Sequence, residues 1–138
     1  MFFDKKKATE ENKSYLVKIA ALLIHAAKID EKYSDDEEEI IKKTMLDLGS
    51  NQNELETLIA NAKKNEENAN QILDYTREIK NLNEADKIKI IKSLWKIIYS
   101  DKNADVYEAN LMRRLAGLLY VDSKTMGNIK EQIKKENL

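Results

Sequence analysis

The sequence predicts an all-α fold, a bundle of roughly seven helices built from two helical repeats related by a pseudo-twofold axis. Three observations predict it. The 138 residues include no proline and only three glycines, which favours helices over strands and turns. Apolar residues recur at spacings of three and four, as they do along one face of a helix. The chain also aligns with itself when Leu23 is placed on Leu94, an offset of 71 residues (94 minus 23).

Length and composition exclude several classes of protein. The chain is long enough for one domain with a core, so we expect a single domain over residues 1–138. The net charge of -1 and the predominance of lysine over arginine disfavour a nucleic-acid partner. Without cysteine there are no disulfides and no thiolate sites, which suits a reducing cytoplasm. The longest apolar run, IAALLIHAA, is about half of what a membrane span requires, although peripheral association remains open.

The self-alignment divides the chain into two units and a connection. Repeat one covers about residues 16–65, repeat two about 84–136, and a helix at about 66–80 joins them. The offset pairs Asp30 with Asp101, Glu37 with Glu108, Ile40 and Ile41 with Leu111 and Met112, and Leu48 with Leu119. Because neither unit could bury its apolar stripe alone, we expect the two halves to pack face to face.

Each repeat contains three helices, and each helix has an apolar stripe. The first helices place apolar residues at positions 16, 19, 20, 23 and 27, and at 88, 91, 94, 95 and 98. The second helices do so at Ile40, Ile41, Thr44 and Leu48, and at Leu111, Met112, Leu115 and Leu119. The third use Leu55, Leu58, Ile59 and Ala62, and Met126, Ile129 and Ile133. Trp95 and the tyrosines lie on or beside these stripes, so we expect them to pack in the core.

Polar residues before these helices have the spacing of N-caps. Ser34 and Asp105 precede the second helices, with Glu37 and Glu108 three residues later, which is the spacing of a capping box. Asn51, with Glu54 three residues on, and Asn83 are expected to cap the helices that follow them. Glu38 and Glu39 each precede a lysine by four residues, so they can form ion pairs along the helix. Capping and pairing therefore account for most of the acidic run Asp30–Glu39, in which seven of ten residues are Asp or Glu.

Asp30 and Asp101 are not explained by capping. Each follows a helix, where a carboxylate faces the negative end of the helix dipole, and each extends an inward stripe. Together with Glu37 and Glu108 they bring four carboxylates towards one region. Two carboxylates about 5 Å apart repel by roughly 3 kcal/mol at an effective dielectric constant near 20. Loop amides, protonation or a bound cation could each offset this cost, and a cation held by oxygen ligands would be Ca²⁺, Mg²⁺ or Mn²⁺.

The segments AAKIDEKYSDDE and IIYSDKNADVYE, each between two helices, resemble the repeated acidic signature of the TerB-like domain family. That family includes tellurite-resistance TerB proteins and the N-terminal domain of a DnaJ-type co-chaperone. The resemblance implies an all-helical bundle linked to stress response, in which Asp30, Glu37, Asp101 and Glu108 take the acidic positions thought to chelate a metal. Glu31 and Lys102 stand where the family has glycine after the aspartate.

Two functions remain open from the sequence. One is a non-enzymatic domain that binds a divalent cation through the four carboxylates. The other is a metal-free module that binds a protein partner, with the carboxylates serving as caps and loop anchors. We do not expect an enzyme, because His25 is the only histidine, there is no cysteine, and no glycine-rich phosphate loop occurs. The repeat partner of His25 is Lys96, so a surface position is expected for it. The sequence does not specify the oligomeric state.

Overall fold

The described residues form six α-helices and one 3₁₀ turn. A computed structural model of the chain describes residues 2–28, 34–68, 76–77, 79–99 and 106–136, with side chains described from residue 15 in the first range and from residue 110 in the last. The helices are α1 (Phe2–Ala27), α2 (Asp35–Asp47), α3 (Leu55–Asn68), α4 (Glu84–Tyr99), α5 (Val106–Leu118) and α6 (Ser123–Glu136), and the 3₁₀ turn Gln52–Glu54 precedes α3. The predicted all-α class is confirmed.

The helix expected at about 66–80 falls partly outside the described residues. Helix α3 continues to Asn68, further than the predicted end of repeat one. Thr76 is helical, and its carbonyl accepts a hydrogen bond from the Lys80 amide at 3.1 Å. The connection between the repeats therefore ends in a helical turn just before α4.

The ends of α2 and α5 repeat the same hydrogen bonds at the offset found in the sequence. After α2, the amides of Leu48, Gly49 and Ser50 donate to the carbonyls of Thr44, Leu46 and Met45. After α5, the amides of Leu119, Tyr120 and Val121 donate to the carbonyls of Leu115, Gly117 and Ala116. Each donor and each acceptor is displaced by 71 residues from its counterpart. Both helices end in a Schellman motif, whose left-handed residue is Gly49 (φ 108°) in one repeat and Tyr120 (φ 57°) in the other.

The core lies between the first helices of the two repeats and the helices that cover them. Helix α1 contacts α2, α3 and α4, and α4 also contacts α2 and α6. Residues 19–24 of α1 are consequently all buried, whereas the sequence pattern predicted burial of only one face. The predicted stripe residues Leu23, Ala27, Leu94 and Ile98 are buried at its centre. Contacts on several sides, rather than periodicity, make α1 a central helix.

Three of the four expected caps lie within the described residues, and two of them form. Ser34 caps α2, and the Asn83 side-chain oxygen accepts from the Asp86 amide at 2.8 Å. The expectation for Asn51 was wrong, because its side chain makes no capping hydrogen bond. The Glu54 amide instead donates to the Asn51 carbonyl at 3.1 Å, closing a 3₁₀ turn, so α3 begins only at Leu55. Asp105 lies outside the described residues.

In repeat two the position of Asn51 is taken by Asp122, which does cap its helix. The Asp122 Oδ1 atom accepts from the Thr125 amide at 2.7 Å, and this hydrogen bond lowers the pKa of the Asp122 carboxyl below its ordinary value. An ionised acceptor at the positive end of α6 makes the stronger cap. The two third helices therefore start differently although their stripes match.

Tyr120 contradicts the expectation that the tyrosines pack in the core. Its side chain is 70 % exposed, and its ring centroid lies 5.9 Å from the Lys87 ammonium nitrogen. Tyr120 is the left-handed residue of the Schellman motif that ends α5. A cation–π contact of this kind contributes about 0.5–1 kcal/mol at an exposed site. The stripe ends one residue earlier, at the buried Leu119.

We expect Gly49→Ala to lower the free energy of unfolding by about 1 kcal/mol, because an L-residue is strained at φ 108°. A Cβ atom at Gly49 would meet no atom within 4 Å, so the cost is conformational and not steric. Gly127→Ala is the matched control. A Cβ atom at Gly127 would also meet no atom within 4 Å, but Gly127 lies within helix α6. The control substitution should raise stability by about 0.5–1 kcal/mol. Urea unfolding measures both changes, and the same sign for both would contradict the argument.

Candidate acidic site

Glu37 is the one predicted metal ligand whose side chain the structure describes. It lies in the first turn of α2, and the residue is only 2 % exposed. Asp30 and Asp101 lie outside the described residues. Glu108 belongs to α5, but its side chain is outside the described part of the chain. The four-carboxylate site therefore remains a prediction, with one member placed at the inner side of its helix.

Ser34 and Glu37 form the capping box that their spacing predicted. The Glu37 amide donates to the Ser34 hydroxyl oxygen at 3.2 Å, and the Ser34 amide donates to Glu37 Oε1 at 3.0 Å. Two amides that would otherwise lack partners at the start of α2 are thus satisfied. The buried Glu37 carboxylate receives a hydrogen bond and also lies at the positive end of the helix dipole.

The other acidic residues of this turn lie on the outside of the fold. Asp35 and Asp36 are exposed, whereas Glu38 forms ion pairs with Lys63 of α3 at 3.0 Å and with Lys42 at 4.0 Å. The Glu38–Lys42 pair has the predicted spacing of four. In the described part of the chain, Glu39 forms no matching salt bridge with Lys43. Part of the acidic run therefore fastens α2 to α3.

Lys42 extends this ion-pair network across the outer surface of repeat one. Its ammonium nitrogen lies 2.9 Å from Glu56 Oε1 of α3. This hydrogen bond raises the pKa of Lys42 above its ordinary value, and Glu38 and Glu39 raise it further by their charge. The contact closes the outer gap between α2 and α3 with a pair of opposite charges.

His25 lies at the surface, as its repeat partner predicted. Its side chain is 38 % exposed, and Nδ1 is 3.5 Å from Glu66 Oε1. Lys28 pairs with the other oxygen of the same carboxylate at 2.9 Å. These contacts link the end of α1 to α3 and involve no cluster of acid, base and nucleophile.

The acidic residues that are described do not by themselves make a metal centre. Among the side chains that the structure describes, no three His, Asp or Glu groups come together in a way that could hold an ion. One oxygen of Glu37 already accepts a hydrogen bond from the backbone. This carboxylate completes the capping box at the start of α2.

Comparison with known proteins agrees with the helical class and with the family resemblance found in the sequence. A family model described as tellurite resistance protein TerB matches residues 16–131. No curated protein and no solved structure gives a significant match. In the portion of the chain that is described, none of the helices has the length and apolar character needed to cross a membrane. Since the model spans both repeats and all but the ends of the chain, this protein belongs to the TerB family of tellurite resistance proteins.

Proposed function

We propose that this TerB domain is a non-enzymatic binding module, which contributes to stress response as part of a larger assembly through contacts with a protein partner. The observation that supports this proposal best is the Ser34–Glu37 capping box, because it gives an acidic signature residue a structural role. Membership of the tellurite resistance family supports the link to stress. The shortage of nucleophiles and general bases in the sequence argues against catalysis.

A divalent cation bound by Asp30, Glu37, Asp101 and Glu108 is the second candidate. It is favoured by the burial of Glu37, since a carboxylate that is 2 % exposed requires compensation by hydrogen bonds or positive charge. Glu37 also follows Asp30 by only seven residues in the sequence (37 minus 30). Oxygen ligands would select Ca²⁺, Mg²⁺ or Mn²⁺. In this case the ion would tie the two repeats together.

Thermal melting of the chelator-treated protein separates these two candidates. An ion that binds only the folded state must raise the melting temperature. Under the first candidate no ion binds, so we expect no saturable change in the melting temperature on addition of millimolar Ca²⁺, Mg²⁺, Mn²⁺ or Zn²⁺. A saturable rise that disappears in an Asp30→Asn, Asp101→Asn double variant would replace the first candidate with the second. Asp36→Asn is the matched control, as it removes an exposed charge from the same acidic run.

Glu37→Gln extends the same test to the residue whose contacts are known. Glutamine can also complete a capping box, so under the first candidate the melting temperature should change little. If a cation is bound, the variant should lose stabilisation only in the presence of the ion. Equal melting temperatures with and without metal, for both the wild-type protein and Glu37→Gln, would count against the cation.

A further inference from the structure

A cleft of about 280 Å³ lies between α5 and α6 in the second repeat, away from Glu37. Its apolar wall includes Trp95, Met112 and Met126, which are 5 %, 1 % and 6 % exposed. Arg113 of α5 and Lys130 of α6 also line it. The volume is suited to one or two apolar side chains and is at the small end for a site that encloses a whole ligand.

At two positions that line the cleft, repeat two has smaller residues than repeat one. At the offset of 71 residues, Ala116 replaces Met45, which is fully buried, and Gly127 replaces Glu56. A Cβ atom added to Gly127 would meet no atom within 4 Å, so this part of α6 borders open space. In repeat one the equivalent gap is bridged by the Lys42–Glu56 ion pair. Repeat two has kept the cation, as Arg113, and lost its acidic partner.

Two positive charges lie at the cleft, on Arg113 and Lys130. In the described part of the chain, no salt bridge involves Arg113 or Lys130. The Lys130 nitrogen lies 5.6 Å from the centroid of the Trp95 ring. The residue of repeat one that corresponds to Lys130 is the apolar Ile59. A cation over the indole face adds to the positive potential that an incoming anion would meet.

Trp95 contributes a hydrogen-bond donor to the second repeat. Its indole nitrogen is fully buried and has no hydrogen-bond partner among the described residues. Leaving a buried N–H group unpaired costs about 1–3 kcal/mol. Its counterpart in repeat one is Ile24, which has no polar atom to satisfy. The donor is therefore specific to the repeat that has the cleft.

We propose that the cleft between α5 and α6 binds an acidic, amphipathic peptide segment of a partner protein, with an apolar side chain seated against Trp95, Met112 and Met126 and carboxylates facing Arg113 and Lys130. This inference rests on the proposed function as a binding module, and it adds the chemistry of the partner. The two positive charges favour an acidic segment. The apolar wall of the cleft favours a single aliphatic or aromatic side chain as the anchor.

The single tryptophan of the chain allows binding to be measured directly. The probes are short, end-capped synthetic peptides with a central Leu-Phe pair flanked by Asp and Glu. In ¹H–¹⁵N spectra of the full-length protein, the indole cross-peak is expected to shift and saturate as peptide is added. Matched peptides with Asn and Gln in place of the acids, or with Ser in place of the Leu-Phe pair, should bind at least about tenfold more weakly.

Two variants test the cleft, and each has a control. Gly127→Leu should fill it and weaken binding by at least about tenfold, while the melting temperature does not fall, because leucine is a better helix former than glycine. Gly117→Leu is its control, as an exposed helical glycine of α5 that does not line the cleft. Arg113→Glu should weaken binding to a similar extent. The neighbouring exposed Arg114 lies outside the cleft, so Arg114→Glu should change the dissociation constant by less than about threefold.

Absence of any indole shift at millimolar peptide would overturn the proposal, as would full binding by the folded Gly127→Leu variant. Concentration-dependent self-association that Arg113→Glu abolishes would also overturn it, in favour of a second copy of this chain as the occupant. Analytical ultracentrifugation measures that outcome. The wider proposed function fails on a different result, a saturable rise in melting temperature with metal, so the two failures can be told apart.

Discussion

Leu94→Ala is expected to lower the free energy of unfolding by about 3 kcal/mol. Leu94 lies at the centre of α4, where that helix packs against α1, α2 and α6, and its side chain is fully buried. Truncation removes the transfer free energy of the lost atoms and leaves a cavity that neighbours on three helices cannot all close. For a chain of this size, the loss corresponds to a fall in melting temperature of roughly 10 °C.

The internal repeat supplies a second variant of the same kind for comparison. Leu23, the counterpart of Leu94 in α1, is also fully buried, so Leu23→Ala should cost about as much. Lys96→Ala is the control, because Lys96 lies on the exposed face of α4 and its removal should change stability by less than about 0.5 kcal/mol. Urea unfolding, analysed with the same m-value for all three variants, measures their free energies of unfolding. A cost below about 1 kcal/mol for Leu94→Ala would mean that α4 is not central to the core.

Thr44→Val is expected to cost about 1–2 kcal/mol, although valine has nearly the same shape as threonine. The Thr44 hydroxyl donates to the Ile40 carbonyl at 2.9 Å, and its oxygen lies 2.7 Å from the Ser93 hydroxyl oxygen. The two hydroxyl groups form a hydrogen bond between α2 and α4. Ser93 is 2 % exposed, so valine at position 44 leaves its hydroxyl buried without this partner.

A double-mutant cycle isolates this interhelical hydrogen bond. The Thr44→Val, Ser93→Ala double variant should be less destabilised than the sum of the two single variants, because the second substitution removes the group that the first leaves unsatisfied. At the offset of 71 residues, Thr44 corresponds to Leu115 and Ser93 to Leu22, and both leucines are fully buried. Strict additivity of the two single costs would show that the hydroxyl groups do not interact.

Local signals in the sequence predicted local structure well. Ser34 and Glu37 formed a capping box, and Asn83 capped α4, because a cap depends only on residues within one turn. Asn51 has the same apparent signal but failed, since its carbonyl and not its side chain satisfies the Glu54 amide. A preference for a 3₁₀ turn over a direct helix start cannot be recognised from the spacing of Asn and Glu alone.

The cleft between α5 and α6 could have been suspected from the sequence but not located in it. The same alignment that pairs Leu23 with Leu94 also pairs Met45 with Ala116 and Glu56 with Gly127, which is a visible loss of volume at two positions. Whether that loss leaves an open cleft or is filled by movement of α6 depends on three-dimensional packing. The buried indole donor of Trp95 could not be predicted from the sequence, because a tryptophan on an apolar stripe is expected simply to pack in the core.

The sequence by itself determined the helical class, the stripes that face the core and the duplication of the unit, because these follow from periodicity and composition along the chain. The tertiary structure alone decided that α1 is buried on several sides, that Glu37 is nearly inaccessible to solvent while Asp35 and Asp36 are exposed, and that one repeat is closed by an ion pair where the other is open. These features depend on which helices are in contact and on the distances between them. Both are determined jointly by residues that are far apart in the chain.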